Sequence, residues 1–172
     1  GDVYDFNVNA IDAAAYKGND SDSMFSLKAL AAYQVSDQIE VYANWGQGFH
    51  TNDARGVVHP TNPVPGLVRG SGKEVGTRFQ TNNFQFTATY WWLDLDSELK
   101  FVGDSNSVVP AEASRRDGLE LVAFWRPYEW LAIDGNFTIS NAEYLNSPNG
   151  KHVPGGFENA GHIGFSVIKN FW

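Results

Sequence analysis

The chain contains no cysteine, which excludes disulfide bonds, thiolate metal sites and cysteine catalysis within these residues. Basic residues are also in the minority, because 12 Lys and Arg face 20 Asp and Glu and the formal net charge is -8. Nucleic acid phosphates are bound by clustered Lys and Arg, so we expect no nucleic acid partner. The sequence also lacks an apolar run of about 18 residues, which a transmembrane helix would need. Its 172 residues suffice for one domain.

Aromatic side chains make up 15% of the sequence, a share that favours a β-sheet or an interface. Apolar and polar residues alternate with a period of two along much of the chain, as in "NFQFTATYWW" and "WLAIDGNFTIS". In the second stretch Leu131, Ile133 and Phe137 share one side, and Asp134 and Asn136 share the other. Segments of about 9 to 11 alternating residues are typical of transmembrane β-barrels.

We predict an all-β, antiparallel fold of about eight strands. The predicted strands cover roughly residues 1–9, 24–35, 38–48, 71–82, 83–103, 113–126, 129–143 and 157–171. Tight turns are predicted at 35–38, 81–83 and 126–129, whereas the connections around 10–23, 49–70, 104–112 and 144–156 are long and rich in turn-forming residues. Because successive hairpins place alternate connections at opposite ends of a sheet, the short turns lie at one end and the long loops at the other. A transmembrane β-barrel segment has this asymmetry.

Two other architectures fit the same alternation. A water-soluble sandwich or lipocalin-like binding barrel would bury the apolar faces in a dry core. A self-contained outer-membrane barrel of about eight strands, acting as an enzyme or an adhesin, would need no further strands. The aromatic residues near strand ends favour a membrane, because Trp and Tyr concentrate at headgroup depth.

Several stretches, taken in order, resemble the barrel of TonB-dependent outer-membrane receptors. The first is "YANWGQGFHTNDARG", a strand that ends in a polar loop. "GSGKEVGTRFQ" resembles the Glu-x-Gly-x-Arg strand of the family, and "TATYWWLDLDSELKFVGD" resembles its long strand leading to Gly-Asp. "EASRRDGLELVAFWRP" and "WLAIDGNFTISNAEY" are similar to the next hairpin. The resemblance covers most of the chain.

Membership of this family would imply a barrel of about 22 strands, a separate plug domain that fills the lumen, and a segment that contacts TonB. Residues 1–172 would then be a partial barrel from its C-terminal half, without the plug domain and the remaining strands. The implied function is import of a scarce nutrient across the outer membrane of a Gram-negative bacterium, without enzymatic activity or a cofactor. A ferric siderophore is the commonest cargo in the family; cobalamin, haem, other metal chelates and oligosaccharides are alternatives. The expected partners are the TonB complex, the plug domain, outer-membrane lipid and a small-molecule or metal-chelate ligand.

A compact polar cluster follows the strand predicted at 38–48. His50, Asn52, Asp53 and Arg55 combine hydrogen-bond donors, acceptors and both signs of charge. One interpretation is an external substrate-binding loop that captures a polar or metal-chelate ligand, because such sites are built from loops on a rigid scaffold. The other is a self-contained network that fixes the loop to the barrel wall, with Arg55 paired to Asp53 or to a neighbouring acid.

Charged residues also occur at even spacing within the predicted strands. Glu74 and Arg78 are four residues apart and therefore lie on the same face of a strand. That face should line the lumen, because a charge facing lipid would cost about 2 to 4 kcal/mol at the membrane midplane. We predict a luminal charge ladder, or a set of contacts to the plug, formed by Glu74, Arg78, Glu98, Arg116 and Glu120.

The sequence carries no catalytic or metal-binding motif. Asp94, Asp96 and Glu98 alternate along one face, which favours solvated or Arg-paired carboxylates over the looping ligands of a calcium site. No pair of carboxyls is marked out for glycoside hydrolysis. The four histidines lack the spacing of zinc ligands, and no nucleophile elbow, phosphate loop or dinucleotide fingerprint is found. We therefore predict no metal site and no catalytic residue.

Overall fold

The computed structural model describes residues 1–9, 17–61, 63–102, 107–146, 150–153, 156 and 158–168. The described part contains one short helix, α1 (Ala54–Val57), and otherwise strands. The strands are β1 (Asp2–Asn9), β2 (Lys17–Met24), β3 (Lys28–Ser36), β4 (Ile39–Thr51), β5 (Leu67–Gln80), β6 (Phe84–Leu95), β7 (Glu98–Val102), β8 (Ser107–Ala111), β9 (Ser114–Tyr128), β10 (Leu131–Tyr144) and β11 (Asn159–Val167). Within these residues, no helix has the length and apolar character needed to cross a membrane.

Seven of the strands form one antiparallel sheet in the order β11-β10-β9-β6-β5-β4-β3. Tight turns join β3 to β4, β5 to β6 and β9 to β10, whereas residues 52–66, 96–113 and 145–158 connect the strands at the other end. The predicted all-β, antiparallel architecture, with short turns at one end and long loops at the other, is therefore confirmed.

The strand boundaries and pairing correct the prediction near the N-terminus and after Leu95. The segment predicted as one strand over 83–103 leaves the main sheet after Leu95, and β7 pairs with β8 as a separate hairpin. The segment at 1–9 also lies outside the main sheet, because β1 pairs with β2. The regions predicted as loops at 10–23 and 104–112 contain β2 and β8, whose sequences lack the alternation that marks the main strands. The predicted strand residues 103, 157 and 169–171 lie outside the described residues.

The main sheet has an apolar face and a polar face, which two adjacent rows of paired residues define. The apolar row is Ala43, Val75, Tyr90, Leu119 and Ile139; the polar row is Tyr42, Gly76, Thr89, Glu120 and Thr138. Side chains alternate along each strand, so every second residue faces the same side; toward the loop end the apolar side also carries Asp94, Arg115 and Asp117.

In the described part of the chain, the large side chains of the apolar face are exposed or half-buried. Phe137 is 43% exposed, Ile139 46% and Phe165 65%. Such a face would be buried in a water-soluble sandwich, because apolar area drives the formation of a dry core. The exposure therefore argues against the soluble alternative.

Two clusters of buried apolar residues lie at the loop end of the described structure. Phe6, Val57, Val64 and Leu67 form one cluster, which joins the β1–β2 hairpin to the loop between β4 and β5. Tyr144 and Val153 form a smaller cluster beside the loop after β10. The loop end is thus a folded structure with its own core.

Candidate functional site

The predicted polar cluster lies where β4 passes into the loop at 52–66. His50 is half-buried near the end of β4, with Val68 of β5 as its backbone partner. Asn52 is 5% exposed; its backbone N–H donates to the carbonyl of Gly66 (2.9 Å), and its Nδ2 donates to the carbonyl of Pro65 (2.7 Å). These hydrogen bonds join Asn52, the first residue of the loop, to Pro65 and Gly66 at its end.

Asp53 and Arg55 form a compact pair at the start of α1. Asp53 is the N-cap residue, and its Oδ1 accepts from the backbone N–H of Arg55 at 2.9 Å. The Arg55 guanidinium donates to both carboxylate oxygens, at 3.0 Å from Nε and 2.6 Å from the terminal nitrogen. These Arg55 side-chain bonds lower the pKa of Asp53, and partial burial opposes them more weakly.

The structure thus brings the four predicted residues together within one loop entrance. The contacts of Asn52 and of the Asp53–Arg55 pair are those of the self-contained network that was one of the two sequence interpretations. Arg55 nevertheless keeps its side chain 58% exposed, and His50 follows Tyr42, Asn44, Gly46 and Gly48 on the polar face of β4.

The β1–β2 hairpin holds this loop in place. The Asp22 carboxylate accepts from the backbone N–H of Leu67 at 3.0 Å, and the ring of Phe6 lies against Gly66. A Cβ at Gly66 would come within 2.5 Å of that ring, so glycine is needed for the close contact. The rings of Tyr4 and Phe49 meet edge to face at 5.4 Å. Sequence patterns gave no signal for this docking.

The polar face of the main sheet carries a layered arrangement around Tyr42. A Cβ at Gly76, the backbone partner of Tyr42, would lie 2.5 Å from the Tyr42 ring and hydroxyl, so the ring crosses Gly76. The hydroxyl reaches Thr89 Oγ1 at 2.6 Å on the next strand. The guanidinium carbon of Arg78 lies 4.5 Å from the centre of the same ring, within the range of a cation–π contact.

The predicted charge ladder has different partners from those expected. Arg78 pairs with Glu40 of β4 at 2.7 Å, and Glu74 accepts a hydrogen bond from the Asn44 side chain. The sequence analysis did not include Glu40, Tyr42 and Asn44 among the partners of Glu74 and Arg78. Their spacing of two residues places them on one face of β4, and β4 directly precedes β5 in the chain.

The other three predicted ladder residues lie elsewhere. Arg116 and Glu120 are on the polar face of β9, where Glu120 pairs by backbone with Thr89 and Thr138. Glu98 is in β7, outside the main sheet, and therefore does not belong to a ladder on the polar face of that sheet. The cause is the end of β6 at Leu95, which interrupts the strand on which the prediction depended.

Polar contacts also border the apolar face at its loop end. Arg115 donates to Asp94 at 2.7 Å, and the Tyr90 hydroxyl donates to Asp117 at 2.6 Å. The predicted Arg-paired carboxylate is therefore confirmed for Asp94. Among the described residues, no group of three or more His, Asp or Glu is placed to hold a metal ion.

Comparison with known proteins identifies the family. The family model described as "TonB dependent receptor-like, beta-barrel" matches residues 2–165. The chain belongs to this family. No curated protein matches it significantly.

Solved receptors of this kind share the fold. The ferric yersiniabactin uptake receptor FyuA from Yersinia pestis aligns over 90% of the chain, with a TM-score of 0.71 and 20% identity. The siderophore receptor PiuA from Acinetobacter baumannii aligns over 93%, with a TM-score of 0.68 and 12% identity. BauA, the ferric preacinetobactin receptor of the same organism, aligns over 90%, with a TM-score of 0.65 and 18% identity.

The chain covers only part of each of these receptors. It spans 24% of FyuA, 24% of BauA and 26% of PiuA. The seven-stranded antiparallel sheet is a β-barrel segment of the TonB-dependent receptor type, as the resemblance implied.

Proposed function

We propose that the chain is part of an outer-membrane receptor that imports a scarce nutrient by active transport driven by TonB. The observation that carries this proposal is the two-faced sheet in a member of the receptor family: one face exposes Phe137, Ile139 and Phe165, and the other carries Glu74 and Arg78. An apolar face directed at lipid and a polar face directed at the lumen are what a transmembrane barrel requires.

The proposed cargo is a ferric siderophore. Support comes from the names of the aligned receptors, which are a ferric yersiniabactin uptake receptor, a ferric preacinetobactin receptor and a siderophore receptor. In this proposal the plug domain and the segment that contacts TonB belong to the parts of the receptor that this chain does not cover.

Ligand contact is proposed for the loop end, with His50 and Arg55 as the candidate side chains. Both combine a polar group with partial exposure at the entrance of the 52–66 loop. Asn52 and Asp53 are proposed to act indirectly, because their hydrogen bonds hold the loop in the conformation that presents Arg55.

The test is uptake of radioactive iron supplied as a panel of ferric siderophores by cells with the intact receptor gene, cells without it and cells without TonB. We expect uptake of at least one chelate to need both the receptor and TonB. Identical uptake in all three strains, for every chelate and for cobalamin and haem, would remove the transport proposal. Uptake of cobalamin or haem alone would keep active transport and replace the cargo.

The soluble lipocalin-like alternative and the small self-contained barrel predict other results. A soluble barrel would leave the outer membrane on fractionation, whereas a receptor segment stays with it. A small enzyme or adhesin would be a gene product near the length of this chain, whereas a receptor is about four times as long, as the 24% coverage of FyuA indicates.

A further inference from the structure

Lys73 is a cation on the apolar side of the main sheet. It lies on the same side of β5 as Val75, and its backbone partners are Trp45 of β4 and Trp92 of β6. Lys73 is exposed, and none of the ion pairs found among the described residues includes it. The chain thus leaves a positive charge, between two indole side chains, on the side that the proposed orientation turns towards lipid.

Arg69 adds a second positive charge on the same side, four residues nearer the loop end of β5. Its guanidinium donates to the side-chain carbonyl of Gln47 at 2.9 Å and to the backbone carbonyl of Phe25 at 3.3 Å. Both acceptors are neutral, so these bonds orient Arg69 without compensating its charge. Ser71 lies between the two cations on the same side, and the cations are separated by about 13 Å of strand. We call Arg69, Ser71 and Lys73 the basic stripe.

The carboxylates on the neighbouring strands of this side bond to other partners. Asp94 is the backbone partner of Ser71, yet its Oδ1 accepts from Arg115 at 2.7 Å. Asp117 follows on the next strand and accepts from the Tyr90 hydroxyl at 2.6 Å. Among the described residues, the basic stripe therefore keeps its positive charge for a group outside the chain.

The position of Lys73 along β5 places it at the edge of the apolar band. The next row towards the turns is apolar and contains Val75 and Tyr90, whereas the row of Lys73 contains Trp45 and Trp92. Indole rings concentrate at headgroup depth, and a cation facing lipid costs much less there than at the membrane midplane. The layer that meets Lys73 therefore consists of lipid headgroups, and phosphate is the anion that such headgroups carry.

We propose that the basic stripe binds a phosphorylated glycolipid headgroup of the outer leaflet, with one phosphate on Lys73 and Ser71 and a second on Arg69. This inference rests on the proposed function, which turns the apolar face to lipid and the loop end to the cell exterior. The charges are complementary: the ammonium group binds phosphate as a point charge, the hydroxyl adds a hydrogen-bond donor, and the guanidinium offers the donors that it does not use within the chain.

Native mass spectrometry of the full-length receptor, purified in detergent, tests the site with lipid A, a glycolipid with two phosphates, and with its monophosphoryl form. We expect the unaltered receptor to bind the diphosphoryl form about fivefold more tightly or better. Lys73→Gln should weaken that binding by a similar factor, and Lys73→Arg should retain it because the charge is kept. Lys28→Gln is the matched control and should bind as the unaltered receptor does, because Lys28 is exposed on the polar side, opposite Gly46.

Several outcomes would overturn the lipid site. One is equal lipid A affinity of Lys73→Gln and the unaltered receptor, and another is an equal loss in Lys28→Gln. Displacement of lipid A by an equimolar amount of inorganic phosphate would assign the basic stripe to a free anion instead. Should Lys73→Gln fail to assemble, the two lipids on the unaltered receptor decide, because equal affinities for both would overturn the site.

Iron uptake, measured in parallel, separates this inference from the proposed function. TonB-independent uptake, together with weaker lipid A binding by Lys73→Gln, would defeat the transport proposal and leave the lipid site standing. TonB-dependent uptake with equal lipid A binding by both proteins would do the reverse.

Discussion

The ring of Tyr42 crosses Gly76 on the neighbouring strand and places its hydroxyl 2.6 Å from Thr89 Oγ1, one strand further on. One side chain thus connects β4, β5 and β6 on the polar face, and Arg78 covers the ring at 4.5 Å. Tyr42 is 7% exposed and Thr89 9%, so these groups are buried although they lie on the polar side of a sheet. The arrangement is possible only because residue 76 has no side chain.

Gly76→Ala should destabilise the barrel by about 1 to 3 kcal/mol, because the new Cβ would overlap the Tyr42 ring. Urea unfolding of the purified receptor in detergent, followed by tryptophan fluorescence, measures the change. Tyr42→Ala removes the ring and should make a second Gly76→Ala change less costly, with a remainder from the Ala88 carbonyl oxygen 2.8 Å from the new Cβ. A double-mutant cycle therefore gives a coupling energy for the ring contact. Additive losses in the double variant would contradict the contact.

Leu121 and Val122 are adjacent in β9 and face opposite sides of the sheet. Leu121→Arg should cost about 2 to 4 kcal/mol and reduce the amount of folded barrel in the outer membrane, since its side faces lipid in the proposed orientation. Val122→Arg, facing the lumen, is the matched control and should assemble close to normally. Heat-modifiable electrophoretic mobility of membrane fractions reports assembly. If both variants assembled equally well, the sheet would not have the proposed orientation.

Phe6→Ala should release the β1–β2 hairpin from the loop between β4 and β5. The Phe6 ring packs with Val57 and Leu67, and removing a buried aromatic ring costs about 3 kcal/mol. Hydrogen exchange at the Leu67 amide, which donates to Asp22, should become at least tenfold faster, while the strands of the main sheet keep their protection. Val3→Ala is the control, because Val3 lies in the same strand and is 72% exposed. A faster Leu67 amide in Val3→Ala as well would point to general loosening of the hairpin.

The Asp53–Arg55 pair predicts a pH dependence of the loop at 52–66. Arg55 lowers the pKa of Asp53 below its usual 3.8, so the folded loop binds fewer protons than the open loop. The stabilisation is therefore fully present above pH 3.8 and is lost as the pH falls through the lower pKa of the folded state. Hydrogen exchange at the Val57 amide, which donates to the Asp53 carbonyl, measures loop opening at pH values from above 3.8 to well below it, after correction for the intrinsic rate.

Asp53→Asn keeps a capping oxygen and removes the charge, so it should abolish the pH dependence while α1 persists at neutral pH. Asp53→Ala removes the cap as well. It should lower the free energy of loop opening by about 1 kcal/mol at every pH. An unchanged acid response in Asp53→Asn would assign the titration to another carboxyl.

The alternation of side chains in single strands was enough to predict the main strands, the two faces and the tight turns at one end of the sheet. Leu131, Ile133 and Asp134 lie on the sides that their spacing predicted, because the period of two is a local property of extended backbone. Among the polar residues, the sequence also placed Glu74 and Arg78 on one face. It did not show that β1–β2 and β7–β8 form separate hairpins, since a period of two does not say which strands pair.

Pairing register decided the rest, because a shift of two residues between strands preserves every face and changes every partner. Only the three-dimensional structure puts Tyr42 beside Gly76, Glu40 beside Arg78 and Trp91 beside Gly118. The docking of Phe6 on Gly66 likewise depends on long-range packing that no local pattern records. Sequence determined which side of the sheet each residue occupies, and tertiary structure determined which residues meet there.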